Sequence, residues 1–151
     1  MANSTQSSID IPATPEQVMA VIADLESYPQ WVDALTTVEV QTLTEDGRPE
    51  LVRMVLAHRL LSDDYTVRYR WQSDAVDWQL EQGHTLTAMD GSYTVRPAGA
   101  GSAVSYELSV ELTIPLPGLL RRTAEKAIVD AALKGLKRQV ARMDDATGTG
   151  R

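Results

Sequence analysis

The sequence predicts an α+β protein in which an antiparallel sheet is covered on one face by a long C-terminal helix. Alternation of apolar and polar residues runs from Thr36 to about Ile114, with short turn-like connections between the alternating segments. The segment from Gly118 to Met143 instead has helical periodicity and no proline. Short connections favour antiparallel pairing of consecutive strands. A sheet with one apolar face needs a cover, and the helical segments are the only candidates to provide it.

Two short elements precede the sheet after an initial strand. Residues 7–11 alternate and predict that strand. A helix then begins at Thr14-Pro15-Glu16-Gln17, because Thr14 can cap the first turn and Gln17 can reach back to it. The helix is predicted to end before Pro29, since a proline disfavours the α conformation in the residue that precedes it. A second short helical turn follows and carries Trp31 toward the core.

Six further strands are predicted, with their apolar phase on the inner face of the sheet. This phase contains nearly all the aromatic residues, so a register error of one residue would expose them. The inward residues are Val38 and Val40; Val52, Met54, Leu56 and His58; Tyr65, Val67, Tyr69 and Trp71; Val76, Trp78 and Leu80; Tyr93 and Val95; and Val104, Tyr106, Leu108, Val110, Leu112 and Ile114.

The C-terminal helix is predicted to extend about 40 Å at 1.5 Å per residue. Its small residues Ala124, Ala131, Ala132 and Gly135 have two alternative explanations. Either they let the backbone pack closely on the sheet, or they leave room for a ligand beside it. The drift of the apolar stripe also suggests that the helix crosses a curved surface or bends near Gly135.

Composition limits the classes of function. With 151 residues, 43% hydrophobic content and no cysteine, the chain fits one globular domain without disulfides, thiolate metal sites or a cysteine nucleophile. Residues 117–151 carry eight basic and four acidic side chains, a net charge of +4, which leaves −11 for the rest. We expect a cytoplasmic protein that does not bind DNA, with a domain at residues 1–146 and a flexible tail at 147–151. The basic helix leaves a membrane surface or a ribosome as alternative partners, although a solvated helix face explains it more simply.

Few residues are candidates for catalysis. His58 and His84 are too few for a multi-histidine metal site, so neither a metal nor another cofactor is expected. His84 falls in a predicted turn, whereas His58 points inward near a strand end. There it could bond a ligand carbonyl or act as a base, but a satisfied histidine at the rim is the simpler interpretation. The pair Asp63-Asp64 is predicted to lie in a turn.

The order of elements and two local motifs resemble one known superfamily. Residues 11–18, Ile-Pro-Ala-Thr-Pro-Glu-Gln-Val, followed by residues 24–31, Asp-Leu-Glu-Ser-Tyr-Pro-Gln-Trp, are similar to the start of polyketide-cyclase/dehydrase and coenzyme-Q-binding START proteins. Residues 91–95 and 99–106 are similar to the last two strands of that group. The resemblance implies the helix-grip fold, a curved seven-stranded antiparallel sheet wrapped around the C-terminal helix, with a hydrophobic cavity between them.

The inward aromatics and the small helix residues, together with this resemblance, predict a ligand cavity. Tyrosine hydroxyls and indole N–H groups on an apolar face need partners, which an apolar ligand with one or two oxygens would supply. The predicted cavity residues are Trp31, Met54, Leu56, His58, Tyr69, Trp71, Trp78, Tyr93, Tyr106, Leu108, Leu120, Ala124, Ala127 and Ala131. The alternative is that these rings only fill the core.

Three functions compete at this point. The preferred hypothesis is a carrier or sensor of a hydrophobic small molecule such as a lipid, quinone or polyketide. The second is a metal-free cyclase or aromatase, in which a tyrosine or His58 moves protons. The third is an interaction module that resembles the ribosome-associating toxins of the same superfamily and uses the basic helix.

Overall fold

The computed structural model of the chain describes residues 4–59, 61–113 and 116–148, with side chains as far as Met143. Its seven strands form one antiparallel sheet in the order β1-β7-β6-β5-β4-β3-β2. The elements in chain order are strand β1 (Thr5–Ile11), helix α1 (Pro15–Ala23), a 3-10 helix (Leu25–Gln30), strands β2 (Leu35–Leu43), β3 (Pro49–His58), β4 (Leu61–Trp71), β5 (Ala75–Gln82), β6 (Leu86–Ala98) and β7 (Gly101–Leu112), and helix α2 (Gly118–Gly148).

Helix α1 begins as its sequence predicts but ends earlier. The Gln17 backbone N–H donates to Thr14 Oγ1 at 3.2 Å, and the Thr14 backbone N–H donates to Gln17 Oε1 at 2.9 Å, which completes a capping box. The helix stops at Ala23, well before Pro29, and the chain continues as the 3-10 helix that contains this proline. Pro29 has no backbone N–H, so the 3-10 helix lacks one hydrogen bond at this residue.

The predicted faces of the sheet are confirmed. Met54, Leu56, Tyr69, Trp78 and Leu108 are buried on the inner face. The neighbours that alternate with them are exposed, namely Arg68, Gln79 and Glu107. The predicted register is therefore correct, while Ile114 lies outside the described residues.

Helix α2 is longer than its sequence pattern predicts and packs mainly on β1, β7 and α1. It includes residues 147 and 148, which were expected to belong to a tail; residues 149–151 lie outside the described part of the chain. Gly135 explains one close approach: a Cβ at this position would lie 2.2 Å from the carbonyl oxygen of Trp31. Gly135 therefore allows tight packing within a single helix.

Glu125 joins α2 to the edge of the sheet. Its side chain is fully buried, and it accepts hydrogen bonds from the Val110 backbone N–H at 2.9 Å and from Thr5 Oγ1 at 2.7 Å. A buried carboxylate needs such partners. The contact fixes α2 against β1 and β7, so the remaining inner face of the sheet borders a space beneath the helix.

The prediction that Asp63-Asp64 forms a turn is wrong, because both residues lie in β4. The Asp63 carboxylate is buried and accepts hydrogen bonds from the backbone N–H groups of His84, Thr85 and Leu86 at 2.9–3.1 Å. Asp63 thus shapes the β5–β6 turn from the neighbouring strand. Asp64 instead forms a bidentate pair with Arg53, which holds the pKa of its carboxyl below the usual value.

Candidate functional site

An inner cavity of about 50 Å³ lies between the inner face of the sheet, the 3-10 helix and α2. Its walls are aliphatic and aromatic side chains, with methionine on two strands. The described residues that line it are Tyr28, Val32, Leu35, Met54, Leu56, Tyr65, Tyr69, Trp78, Met89, Tyr93, Tyr106, Leu108, Ile128 and Ala132.

All five tyrosines of the chain line this cavity, and the chain contains no phenylalanine. Three of their rings surround Trp78, whose ring centroid lies 5.3 Å from that of Tyr69, 5.7 Å from that of Tyr93 and 5.6 Å from that of Tyr106. Gly91 makes this arrangement possible, because a Cβ there would lie 2.2 Å from the indole of Trp78. Each of these five tyrosines carries a hydroxyl group, which a phenylalanine at the same position would lack.

The tyrosine hydroxyls fall into two groups. Tyr28 donates to the carbonyl oxygen of Ile22, and Tyr65 donates to the sulfur of Met54 at 3.6 Å. Among the described residues, the hydroxyls of Tyr69, Tyr93 and Tyr106 have no hydrogen-bond partner. A buried hydroxyl is normally paired. These three hydroxyls are therefore available for hydrogen bonds to a ligand in the inner cavity.

Burial raises the pKa of all five tyrosines above the ordinary value of 10.0, and for Tyr28, Tyr69, Tyr93 and Tyr106 neighbouring tyrosines raise it further. The neutral phenol is therefore the stable form at physiological pH. A neutral phenol donates its proton in a hydrogen bond and accepts through its oxygen. The site can accordingly bind a carbonyl, hydroxyl or ether oxygen.

A larger outer groove of about 510 Å³ lies beside the cavity, between α2 and the ends of the 3-10 helix and β3. The groove and the cavity share two lining residues, Val32 and Ile128. These two side chains therefore separate the enclosed space from the open one. The other described residues of the groove are Asp33, Ala34, Ala57, His58, Arg59, Ala127 and Ala131.

Half of the predicted site residues lie together on the wall of the inner cavity. They are Met54, Leu56, Tyr69, Trp78, Tyr93, Tyr106 and Leu108. His58 is half-buried and borders the outer groove. Trp71 lies at the end of β4, where its indole N–H donates to the Pro49 carbonyl at 2.6 Å and its ring stacks on Tyr69.

None of the four α2 residues predicted for the cavity lines the inner cavity. Leu120 is 42% exposed, and Ala127 and Ala131 are exposed on the outer groove. Ala124 is buried but does not line the cavity. The helix is rotated by about one residue, or about 100°, relative to the expectation. Ile128 and Ala132 consequently take the places assigned to Ala127 and Ala131.

Trp31 is buried as expected but lies away from the inner cavity. It packs beneath Gly135 and borders a separate groove between α1 and α2. The sequence predicts that this ring lies toward the core, and the ring is buried, but it does not line the inner cavity.

Several residues of the cavity wall were not predicted. Tyr65 stands in the same alternation as Tyr69, and Ile128 and Ala132 belong to the apolar stripe of α2, so the pattern contained a signal for each. Tyr28 and Val32 lie in and after the 3-10 helix, where no periodicity indicates which side chain points inward. The remaining unpredicted wall residues are Leu35 and Met89.

Within the described residues, no group of three or more histidine, aspartate and glutamate side chains is arranged to hold a metal ion. In the same part of the chain, no helix is both long and apolar enough to cross a bilayer.

An open seven-stranded antiparallel sheet packed on a long C-terminal helix is the helix-grip fold. Residues 2–143 match the family model described as polyketide cyclase / dehydrase and lipid transport. The chain belongs to this family. None of the curated protein sequences matches it significantly.

Solved structures share the fold. A START superfamily protein from Mycobacterium smegmatis is 20% identical with a TM-score of 0.86, over 93% of this chain and 98% of the other. A protein from Thermus thermophilus is 25% identical with a TM-score of 0.81, over 93% and 99%. The Zhui aromatase/cyclase from a Streptomyces species is 14% identical with a TM-score of 0.84, over 98% and 99%. At 20% and 14% identity, the similarity to the first and third structures shows a shared fold only.

Proposed function

We propose that this protein binds a small, mainly apolar molecule bearing oxygen atoms, such as a lipid, quinone or polyketide, in the inner cavity, and acts as its carrier or sensor. One observation carries the proposal. Three tyrosine hydroxyls without partners, those of Tyr69, Tyr93 and Tyr106, border the same cavity in an otherwise apolar wall.

The cost of these hydroxyls supports the proposal. An unpaired buried hydroxyl costs about 1–3 kcal/mol relative to a paired one. Phenylalanine would fill the same volume without that cost, yet the chain uses tyrosine at all five positions and phenylalanine nowhere. A ligand oxygen would satisfy the hydroxyls when the site is occupied.

The size of the cavity requires that it widens on binding. At about 50 Å³ it is well below the roughly 300 Å³ of typical small-molecule sites. The outer groove offers about 510 Å³, and only Val32 and Ile128 are common to both spaces. We therefore infer that a ligand enters from the outer groove by displacing these two side chains.

The composition of the wall favours a binding protein over a cyclase. Among the described residues that line the cavity, none carries a carboxylate, imidazole or amine. Burial raises the pKa of the tyrosines, which makes them hydrogen-bond donors and poor proton acceptors at neutral pH. His58 borders the outer groove, so a proton transfer through it would take place outside the cavity.

The proposal is tested with two ligands that differ by one oxygen. 1-Tetralone and tetralin have the same two fused rings, but only 1-tetralone has a carbonyl. We expect native mass spectrometry and quenching of tryptophan fluorescence to show saturable binding of both, with 1-tetralone preferred about tenfold, the worth of one hydrogen bond of about 1.4 kcal/mol. Absence of saturable binding, or equal affinity for the two ligands, would contradict the proposal.

A further inference from the structure

A second concave site lies between α1, the 3-10 helix and the last described turns of α2. This helical groove has a volume of about 190 Å³ and shares no lining residue with the inner cavity. Its apolar floor includes Ala20, Val21 and Val140, and its polar lining includes Trp31 and Gln139.

Two of its lining residues carry buried polar atoms that lack a hydrogen-bond partner. Trp31 is 4% exposed and Gln139 is 7% exposed, and neither Trp31 Nε1 nor Gln139 Oε1 is paired. In the described part of the chain only one other side-chain atom that is fully shielded from solvent is in this condition, on Arg121. Buried polar groups without partners are rare and costly, and their occurrence together in one groove needs an explanation.

The indole of Trp31 is held firmly in place. A Cβ at Gly135 would lie 2.2 Å from the Trp31 carbonyl oxygen and 3.1 Å from its ring atom Cε3, so the helix backbone is in direct contact with this residue. The indole N–H is a donor and cannot accept. An acceptor that approaches from the helical groove would satisfy it.

Gln139 lies one helical turn after Gly135 and can adapt. The terminal torsion of a glutamine side chain is broad and roughly two-fold, so its amide turns at little cost. Trp31 Nε1 is shielded from solvent, so we infer that a ligand reaches it after a side chain of the groove lining, such as Gln139, turns aside. The amide offers both a donor and an acceptor, which is the complement of another amide.

We propose that the helical groove binds a small carboxamide with an apolar substituent. The ligand carbonyl oxygen accepts a hydrogen bond from Trp31 Nε1–H, and the ligand amide N–H donates to Gln139 Oε1. The apolar substituent lies on Ala20, Val21 and Val140. The volume, below the roughly 300 Å³ of typical small-molecule sites, limits the ligand to about a single ring. This proposal does not depend on the function proposed for the inner cavity.

The test follows the indole N–H resonances of the ¹⁵N-labelled protein during titration with benzamide. The resonance of Trp31 is assigned from its loss in a Trp31→Phe variant, and those of Trp71 and Trp78 serve as internal controls. We expect a saturable shift of the Trp31 signal, with the other two unchanged. N,N-dimethylbenzamide lacks the amide N–H, and Gln139→Met keeps the side-chain length without the amide. Each change should weaken binding about tenfold, the effect of one hydrogen bond.

Three outcomes would overturn the proposal. The Trp31 signal could fail to respond, which would leave only water in the groove. Benzamide and N,N-dimethylbenzamide could bind with equal affinity, or a folded Gln139→Met variant could bind benzamide as well as the natural chain does. Titration with 1-tetralone distinguishes binding in the inner cavity from binding in the helical groove, because it should shift the Trp78 signal and leave the Trp31 signal unchanged.

Discussion

Adjacent alanines on α2 provide a matched pair of variants for the inner cavity. Ala132 is buried and lines the cavity, whereas Ala131 is exposed on the outer groove. Valine at either position has the same cost in helix propensity, about 0.5 kcal/mol relative to alanine. A difference between Ala132→Val and Ala131→Val therefore reports the surroundings of the side chain rather than the helix.

The expected difference follows from the cavity volume. Empty cavity volume costs about 24 cal/mol per Å³, so filling about 50 Å³ would stabilise the protein by roughly 1.2 kcal/mol. Ala132→Val should then raise the free energy of unfolding by about 0.7 kcal/mol, and Ala131→Val should lower it by about 0.5 kcal/mol. For a chain of this size the two melting temperatures should differ by about 3–5 °C.

Thermal melts and titrations with 1-tetralone measure both consequences. We expect Ala132→Val to melt above Ala131→Val and to bind 1-tetralone at least about tenfold more weakly, because its methyl groups occupy the ligand space. If Ala132→Val melts below Ala131→Val, the helix packs directly on the sheet at this point. If Ala132→Val binds 1-tetralone normally while Ala131→Val does not, the ligand occupies the outer groove.

Three further predictions concern the tyrosine wall and the helix contact. Because burial raises the pKa of all five tyrosines, their contribution to folding stability is fully present below about pH 10 and is lost as the pH rises above it. Absorbance should therefore show phenolate only when circular dichroism shows unfolding. Ionisation of the folded protein would contradict this prediction. Tyr28→Phe removes a formed hydrogen bond and should lower the free energy of unfolding by about 1 kcal/mol. Tyr106→Phe removes an unpaired hydroxyl and should not lower it. Equal urea midpoints for the two variants would contradict this difference between the hydroxyls. Gly135→Ala should destabilise the protein by about 1–3 kcal/mol, because the added methyl group clashes with Trp31. Gly118 has open space around it, so Gly118→Ala should be neutral or slightly stabilising. A folded Gly135→Ala variant with an unchanged melting temperature would mean that the helix can shift away.

The strand faces could be predicted because period-two alternation has only two phases. Once Tyr69 and Trp78 are placed inward, the rest of each strand follows. Tyr93 and Tyr106 face each other across β6 and β7 for the same reason. The seven predicted site residues that line the inner cavity all lie on strands.

The helix face was harder to predict because α2 is weakly amphipathic. Alanines occur on its buried and exposed sides alike, so residue size does not separate Ala131 from Ala132. The contacts that hold the helix, those of Glu125 with Thr5 and Val110 and that of Gly135 with Trp31, join parts of the chain far apart in sequence. Tyr28 was missed since the 3-10 helix has no regular face that a periodic pattern could reveal.

The central claim is that tyrosine hydroxyls in the inner cavity recognise an oxygen atom of the ligand. The most direct measurement is the affinity ratio of 1-tetralone to tetralin in a Tyr93→Phe/Tyr106→Phe double variant, with Ala131→Val as the folded control. The rings and the cavity shape remain, so tetralin should bind as it does to the natural chain, and the roughly tenfold preference for 1-tetralone should fall to about two or less. A double variant that still prefers 1-tetralone about tenfold would contradict the claim.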